Sequence, residues 1–193
     1  MTRKYEQRRR AEQQEETRRR IVEAAVGLHG AIGPARTSLS AVAEKAGVQR
    51  NTLYRYFPDE RELLHACSAH YSELNPVPTT DGWSDVEDPL ERAGAGLRAL
   101  YAYWEANQQM VAHVLRDAES EPLVREVSEA RWGVPLGAIR AALLGGATDR
   151  EGAATVDLAI GFRTWQSLRH SGLSTADAAD LMARVVARAL GRP

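Results

Sequence analysis

The sequence is poor in cysteine and has no long hydrophobic run. Cys67 is the only cysteine among 193 residues, which excludes an intramolecular disulfide and a thiolate-rich zinc site. No apolar stretch approaches the ~20 residues that span a bilayer. The segment over residues 1–20 is also too polar for the hydrophobic region of a secretory signal. These absences predict a cytoplasmic protein with no membrane partner.

Signatures of catalysis and of cofactor binding are missing as well. The sequence has neither a Gly-rich phosphate loop nor the G-x-S-x-G pattern of a nucleophile elbow. Cys67 and His70 have the spacing of one helical face, but two ligands do not close a metal site. We therefore predict a protein that is not an enzyme and that needs no metal and no cofactor.

The charges nearly cancel over the whole chain but not along it. Lys and Arg number 25 against 26 Asp and Glu, which gives a formal net charge of -1. Up to Arg61 there are 13 positive and 8 negative side chains, so this part carries +5 and the remainder carries -6. Such asymmetry indicates a basic binding module joined to an acidic body.

Hydrophobic residues recur with helical spacing along nearly the whole sequence, and no run alternates with the period of a strand. The pattern predicts an all-α protein. Its first apolar stripe belongs to a helix that ends near Gly30 and consists of Ile21, Ala24, Ala25 and Leu28. The breaker-rich residues 75–82 are the best candidate for an interdomain connection. Pro135 predicts a kink or a break in a helix over residues 123–144.

Capping patterns mark several later helix starts. They are Asp59 with Glu62, Asp88 before Pro89, Thr148 with Glu151, and Ser174 with Asp177. The helix that opens at Thr148 is predicted to carry Val156, Ile160, Trp165 and Leu168 on one apolar face.

Residues 37–57 hold the pattern that bears most directly on function. A short helix after Thr37-Ser38, a turn at Gly47 and a second short helix make a helix-turn-helix, whose second helix lies in the major groove of DNA. Gly47 tolerates the positive φ that the turn needs. The second helix presents outward-facing donors suited to base edges and phosphates: Gln49, Arg50, Asn51, Thr52 and Arg55.

The residues around this motif match a known family. The match consists of Thr37-Ser38-Leu39, Val42-Ala43, Ala46-Gly47-Val48, Thr52-Leu53-Tyr54-Arg55-Tyr56-Phe57-Pro58 and Glu62-Leu63-Leu64. This pattern resembles the N-terminal domain of the TetR family of bacterial transcriptional regulators. The resemblance implies a flexible basic arm over residues 1–16, a three-helix DNA-binding domain over 17–64 whose first helix starts near Thr17, and a helical ligand-binding and dimerisation domain over 65–193.

The resemblance also implies a function for the whole chain. We expect a homodimer that binds a palindromic operator in double-stranded DNA, represses transcription, and is released by a small-molecule effector. The alternative is an α-helical interaction module or ligand sensor that has lost DNA binding. The apolar stripe of the last helix, Leu181, Val185, Ala189 and Leu190, would form part of the dimer interface. Small residues such as Ala178, Ala179 and Ala183 would allow the partner helix to approach closely.

Individual DNA contacts follow from the same resemblance. Arg50 is the first candidate for base readout, because a guanidinium bridges guanine O6 and N7. Asn51, Thr52 and Gln49 would read adjacent bases or waters. Phosphate contacts are expected from Thr37, Tyr54, Tyr56 and Arg61, the last replacing a family lysine that is Glu60 here. The arm residues Arg3, Lys4, Arg8, Arg9 and Arg10 would enter the minor groove or track the backbone, unless the arm is only a solubilising tail.

Most of the large aromatic residues follow residue 80, and they define a candidate effector site for an aromatic or hydrophobic molecule. The candidate residues are Tyr101, Trp104, Met110, His113, Trp132, Phe162, Arg163 and Trp165. His113 and Arg163 would supply the polar contacts. The competing interpretation is that these aromatic side chains form an ordinary core.

Overall fold

The structure is a computed structural model that describes the backbone of residues 2–191 and the side chains of residues 5–191. Within that range the chain contains ten α-helices and no β-strand, which confirms the predicted all-α class. The helices are α1 (Thr2–Ile32), α2 (Leu39–Lys45), α3 (Arg50–Tyr56), α4 (Glu60–Leu74), α5 (Pro89–Ala106), α6 (Gln108–Asp117), α7 (Pro122–Leu144), α8 (Arg150–Ile160), α9 (Phe162–His170) and α10 (Thr175–Ala189). No helix in this range is long and apolar enough to cross a membrane.

The chain divides into two compact units. Unit 1 comprises Met1–Asn75 and Ala112–Glu129, and unit 2 comprises Pro76–Val111 and the remainder from Ala130. The domains predicted as residues 17–64 and 65–193 are contiguous in sequence, whereas unit 1 is built from two separate stretches. Helices α6 and α7 therefore each contribute to both units.

Unit 1 is organised around the buried faces of α1 to α4. Its main core consists of Ile21, Val22, Ala24, Ala25, Val42, Ala43, Ala46, Leu53, Phe57, Leu63 and Cys67. The small side chains of Ala25, Ala43 and Ala46 let α1 and α2 pack closely in this core. The predicted turn and cap are both present: Gly47 has φ 65°, and the Asp59 carboxylate accepts a hydrogen bond from the Glu62 N–H at 2.8 Å.

Helix α1 is longer than the sequence pattern predicts. It begins at Thr2 rather than near Thr17, so the segment predicted as a flexible arm is helical. Residues 5–16 are exposed on every side and bury no apolar stripe. Their helix is supported instead by good helix formers and by ion pairs between successive turns, such as Arg8 with Glu12 at 2.9 Å. The side chains of Arg3 and Lys4 lie outside the described residues.

Unit 2 is built on α5, which packs along α10. Leu97, Leu100 and Tyr101 of α5 are completely buried. Ala178, Ala179 and Ala183 of α10 are buried within this unit as well, so they are not available for close approach to a second chain, contrary to the sequence prediction. Val185, by contrast, is 40% exposed, and the dimer stripe to which it belongs stays a prediction.

Three predicted helix features differ in the structure. The start predicted at Thr148 lies one residue later, because the Asp149 carboxylate caps α8 by accepting from the Gly152 N–H. The single helix predicted beyond it is two helices, since Gly161 adopts an extended conformation with φ -66° and ψ 131°. Helix α7 continues through Pro135, so of the predicted kink or break the break is wrong, and the kink stays a prediction.

Candidate nucleic-acid interface and aromatic cluster

Helix α3 has one face in the core of unit 1 and one face exposed. Leu53 is completely buried and Phe57, at the end of the helix, is 1% exposed, so the helix is firmly anchored. Away from these anchors, the side chains of Gln49, Arg50, Asn51, Tyr54 and Arg55 are exposed, and those of Thr52 and Tyr56 are half-buried. The structure therefore brings the predicted readout residues together on one short helix.

The guanidinium of Arg50 is held by a neighbouring tyrosine on α3. Its Nη2 donates to the Tyr54 hydroxyl at 3.1 Å, and its Cζ lies 5.5 Å from the centre of the Tyr54 ring. This contact uses one of the five N–H donors of the guanidinium. It reduces the rotamer freedom of Arg50 before any base is bound, which lowers the entropic cost of binding. Arg55 stacks on Tyr56 in the same way, at 5.4 Å.

Two residues predicted to contact phosphates, Thr37 and Arg61, bind other groups of the chain in the structure. Thr37 does not cap α2; the Ser38 hydroxyl does, by accepting from the Ala41 N–H. The Thr37 hydroxyl donates instead to the Gly33 carbonyl at 2.8 Å. Arg61 forms an ion pair with Glu126, a residue that the sequence pattern did not single out. A phosphate contact by Thr37 or Arg61 would have to replace these bonds.

One basic residue of α1 is placed beside α3 without having been predicted there. The Arg18 guanidinium lies 5.1 Å from the centre of the Phe57 ring. It adds a positive charge next to the helix-turn-helix and covers one of the anchors of α3. No motif marks it, because the contact joins residues 39 positions apart. Among the predicted arm residues, Arg8, Arg9 and Arg10 are exposed on the first turns of α1.

The end of α1 is held by three residues of α6, which we call the α6 clasp: His113, Arg116 and Asp117. His113 Nδ1 lies 3.0 Å from the Gly30 carbonyl, and Arg116 donates to the Ile32 carbonyl at 3.0 Å. The Asp117 carboxylate accepts from the Ala35 N–H at 2.9 Å. The clasp lies in unit 1, so the structure does not place His113 with the aromatic residues as predicted.

The neighbours of Asp117 in the clasp stabilise its charged form. Burial opposes ionisation of Asp117, but hydrogen bonds from Arg116 and from the Ala35 N–H, together with nearby positive charge, lower the pKa of this carboxyl below its usual value. Gly33 turns the chain beneath the clasp with φ 95°, and a Cβ there would collide with the side chains of Arg116 and Asp117. The clasp therefore requires glycine at this position.

Asp117→Ala should lower the free energy of unfolding of unit 1 by about 2–3 kcal/mol, because it removes a buried carboxylate that accepts from the Ala35 N–H and pairs with Arg116. Denaturant titration followed by circular dichroism measures the change. Asp157→Ala is the matched control, since Asp157 forms a half-exposed ion pair with Arg140 and should change stability by less than about 1 kcal/mol. Equal effects of the two variants would contradict a structural role for the clasp.

His29 should make stability fall as the pH drops. Burial lowers the pKa of His29 from 6.5 to about 4, against an opposing attraction by Asp117. Below pH 6.5 the unfolded chain binds a proton that the folded chain does not, so stability decreases toward pH 4, by up to about 3 kcal/mol. Denaturant titrations between pH 8 and pH 4 measure this slope. His29→Gln should flatten it, whereas His170→Gln, at an exposed histidine, should leave it unchanged.

The aromatic side chains of unit 2 form one connected cluster, defined by Tyr103, Trp104, Trp132, Phe162 and Trp165. The Trp104 ring contacts three of them, with centroid distances of 5.1 Å to Tyr103, 6.3 Å to Trp132 and 5.7 Å to Phe162. Phe162 and Trp165 are 5.4 Å apart. Every member is at most 7% exposed. The cluster is therefore closely packed, and Tyr103 belongs to it although the sequence analysis left it out.

Most polar atoms around this cluster are satisfied internally. The Tyr101 hydroxyl donates to the Ala159 carbonyl at 2.8 Å and Trp104 Nε1 donates to the Ile160 carbonyl at 3.3 Å. Trp132 Nε1 donates to the Tyr103 hydroxyl at 3.2 Å. Among the cluster's own side chains, the buried Nε1 of Trp165 has no hydrogen-bond partner in the described residues.

Of the remaining candidate effector contacts, one is buried and one is exposed. Met110 is buried in unit 2, with 9% of its surface exposed. Arg163 is exposed on α9 and donates to the Gln166 side chain at 3.1 Å. The five predicted aromatic residues therefore lie in the core of unit 2, while the two predicted polar contacts lie elsewhere. This arrangement favours a structural role for most of the aromatic side chains.

Similarity to known proteins agrees with this architecture. A family model described as bacterial regulatory proteins of the tetR family matches residues 21–67, which span the helix-turn-helix and its supporting helices. This part of the chain is therefore similar to the DNA-binding domain of the TetR family. No curated protein matches the sequence significantly.

Solved structures share the TetR fold over nearly the whole chain. A putative TetR-family regulator from Mesorhizobium loti has a TM-score of 0.64 at 18% identity and covers 92% of this chain and 96% of its own. The multidrug binding protein EbrR, complexed with imidazole, has a TM-score of 0.61 at 22% identity over 92% of each chain. RolR, in complex with resorcinol, has a TM-score of 0.54 at 20% identity, covering 95% and 91%.

The position of the family match separates the parts of the chain that a motif can describe from those that it cannot. Residues 21–67 include α2, α3 and their anchors, but neither the clasp nor the aromatic cluster. Those two features depend on residues of α5 to α9, for which the family model offers no pattern. The exposed donors of α3 remain the best candidates for contact with DNA.

Proposed function

We propose that this chain is a sequence-specific transcriptional repressor of the TetR family that acts in the cytoplasm as a homodimer on a palindromic operator. The observation that carries the proposal is the exposed face of α3, where Arg50 is held by Tyr54 on a helix that is anchored by Leu53 and Phe57. A rigid helix with donors at its N-terminal end suits base readout in the major groove. The chain has no proposed catalytic role.

The DNA contacts that we propose fall into two groups. Gln49, Arg50, Asn51 and Thr52 would face base edges, because they occupy the first turn of α3 and the residue before it. Tyr54, Arg55, Tyr56, Thr37 and Arg61 would contact phosphates, the last two after exchanging their present partners. Two copies of α3 related by a two-fold axis would read two half-sites about one helical turn apart.

Selection of bound duplexes from a random DNA pool tests the main proposal. We expect enrichment of an inverted repeat, with affinity that falls steeply as the salt concentration rises. Enrichment of no sequence, with weak binding to all duplexes, would contradict the proposal and support the interaction module. Light scattering should give twice the 21.2 kDa mass of one chain; a monomer at micromolar concentration would contradict the palindromic arrangement.

Release by a small molecule is the second part of the proposal. EbrR and RolR were solved with imidazole and with resorcinol, both small ring compounds. In this chain, the buried Nε1 of Trp165 offers an unused donor to such a molecule. A library of ring compounds, screened by tryptophan fluorescence and by thermal shift, should contain a ligand that also weakens operator binding. If no ligand affects the operator complex, the effector mechanism is contradicted.

A further inference from the structure

Unit 1 contains a cavity of about 260 Å³ that the proposed effector mechanism does not use. It is lined by the end of α1, the first turn of α2, the first turn of α4 and the start of α7. All of its lining residues belong to unit 1, so it is separate from the aromatic cluster. Its volume is slightly below the range of pockets that hold drug-sized ligands, which suits a smaller molecule.

Most of the residues that line the cavity have apolar side chains, but one buried lining residue is polar. Leu39, Leu63 and Leu123 contribute apolar surface. His29 also lines the cavity, is 8% exposed, and makes no side-chain hydrogen bond with any described residue. Burial lowers the pKa of His29 to about 4, so the ring is neutral at pH 7 and offers one donor and one acceptor. A neutral imidazole that lines a cavity can therefore exchange hydrogen bonds with a small molecule bound there.

The charged residues that line the cavity are both acidic. Glu60 stands in the first turn of α4, and Glu121 immediately precedes α7. Both glutamates are exposed, whereas His29 and Leu63 are buried and Leu39 and Leu123 are half-buried. A molecule that fills this space would meet negative charge at its solvent-exposed end, apolar surface along its body, and a neutral imidazole in a buried part of the wall.

We propose that this cavity binds a small organic ammonium ion with one compact apolar body and one hydroxyl group. The ammonium group pairs with Glu60 and Glu121, the body packs on the leucines, and the hydroxyl hydrogen-bonds with His29. The ligand would touch Leu39, the first residue of α2 in the helix-turn-helix, and Thr37, which lies just before that helix. Unlike the proposed effector in unit 2, it would therefore contact the DNA-binding helices directly.

Tyramine is a suitable probe, because it combines an ammonium group, a single ring and a hydroxyl. We expect titration of the full chain with tyramine at pH 7 to shift the ring signals of His29 in NMR spectra of histidine-labelled protein, with His29→Gln used for assignment. Phenethylamine, which lacks the hydroxyl, should bind more weakly and shift His29 less. 4-Ethylphenol, which lacks the charge, should bind roughly tenfold more weakly. Unshifted His29 signals at millimolar tyramine would overturn the proposal.

Variants locate the probe and test the role of charge. Glu60→Gln and Glu121→Gln should each weaken tyramine binding roughly three- to tenfold and leave 4-ethylphenol unchanged. Leu123→Phe should fill the cavity and abolish binding, whereas Leu90→Phe, at a 46% exposed residue of unit 2, should not. Unchanged tyramine affinity in both glutamine variants would refute the ligand class. Because no step uses DNA, failure here is distinct from failure of the repressor proposal.

Discussion

Replacing Arg50 with alanine should weaken binding to the selected operator about 10- to 100-fold, the effect of losing one bidentate contact to guanine. Arg50→Glu should weaken it further, because a carboxylate in the groove is repelled by the phosphates. Neither change should affect folding, since Arg50 is exposed at the start of α3 and contacts only the outward-facing Tyr54. Fluorescence anisotropy with labelled operator, at two salt concentrations, measures both affinities.

Controls separate base readout from general electrostatics. Arg150→Ala removes an exposed arginine from the first turn of α8 and should leave operator affinity unchanged. Tyr54→Phe removes the hydroxyl that accepts from Arg50 but keeps the ring, so its effect should be smaller than that of Arg50→Ala. If Arg50→Ala weakens binding to random DNA as much as to the operator, Arg50 contacts phosphate and the base-readout role is wrong.

Features that depend on neighbouring residues could be predicted from the sequence. The cap at Asp59 follows from a carboxylate that accepts from the N–H three residues later, and the turn at Gly47 follows from the positive φ that glycine tolerates because it has no Cβ. The buried and exposed faces of α3 follow in the same way from its helical period. The exposed positions of α3 were therefore predictable, whereas the hydrogen bond from the Thr37 hydroxyl to the Gly33 carbonyl was not.

The α6 clasp could not be predicted, because it joins residues that are far apart in sequence. His113 and Gly30 are separated by 83 positions, and Ala35 and Asp117 by 82. Nothing local to His113 distinguishes a clasp from a ligand contact, since the ring suits both. The long first helix was missed for a different reason: its first turns bury no apolar stripe, which is the signal that periodicity detects.

The aromatic residues left two interpretations open, because core and pocket use the same side chains. The structure favours the core for Trp104, whose ring and indole nitrogen both have partners. For Trp165 both interpretations stay open, since its ring packs on Phe162 but its indole nitrogen has no hydrogen-bond partner among the described residues. A substitution at Trp104 therefore tests the structural role directly.

Trp104→Ala should lower the free energy of unfolding of unit 2 by about 3–5 kcal/mol, which approaches the whole stability of many domains. The loss combines the contacts with three rings, the cavity that remains, and the orphaned Ile160 carbonyl. Trp104→Phe keeps a ring and should lose only about 1–2 kcal/mol. Urea titration followed by far-ultraviolet circular dichroism measures both without relying on tryptophan emission. If Trp104→Ala is as stable as the unmodified chain but no longer responds to an effector, the cluster is a binding pocket rather than core.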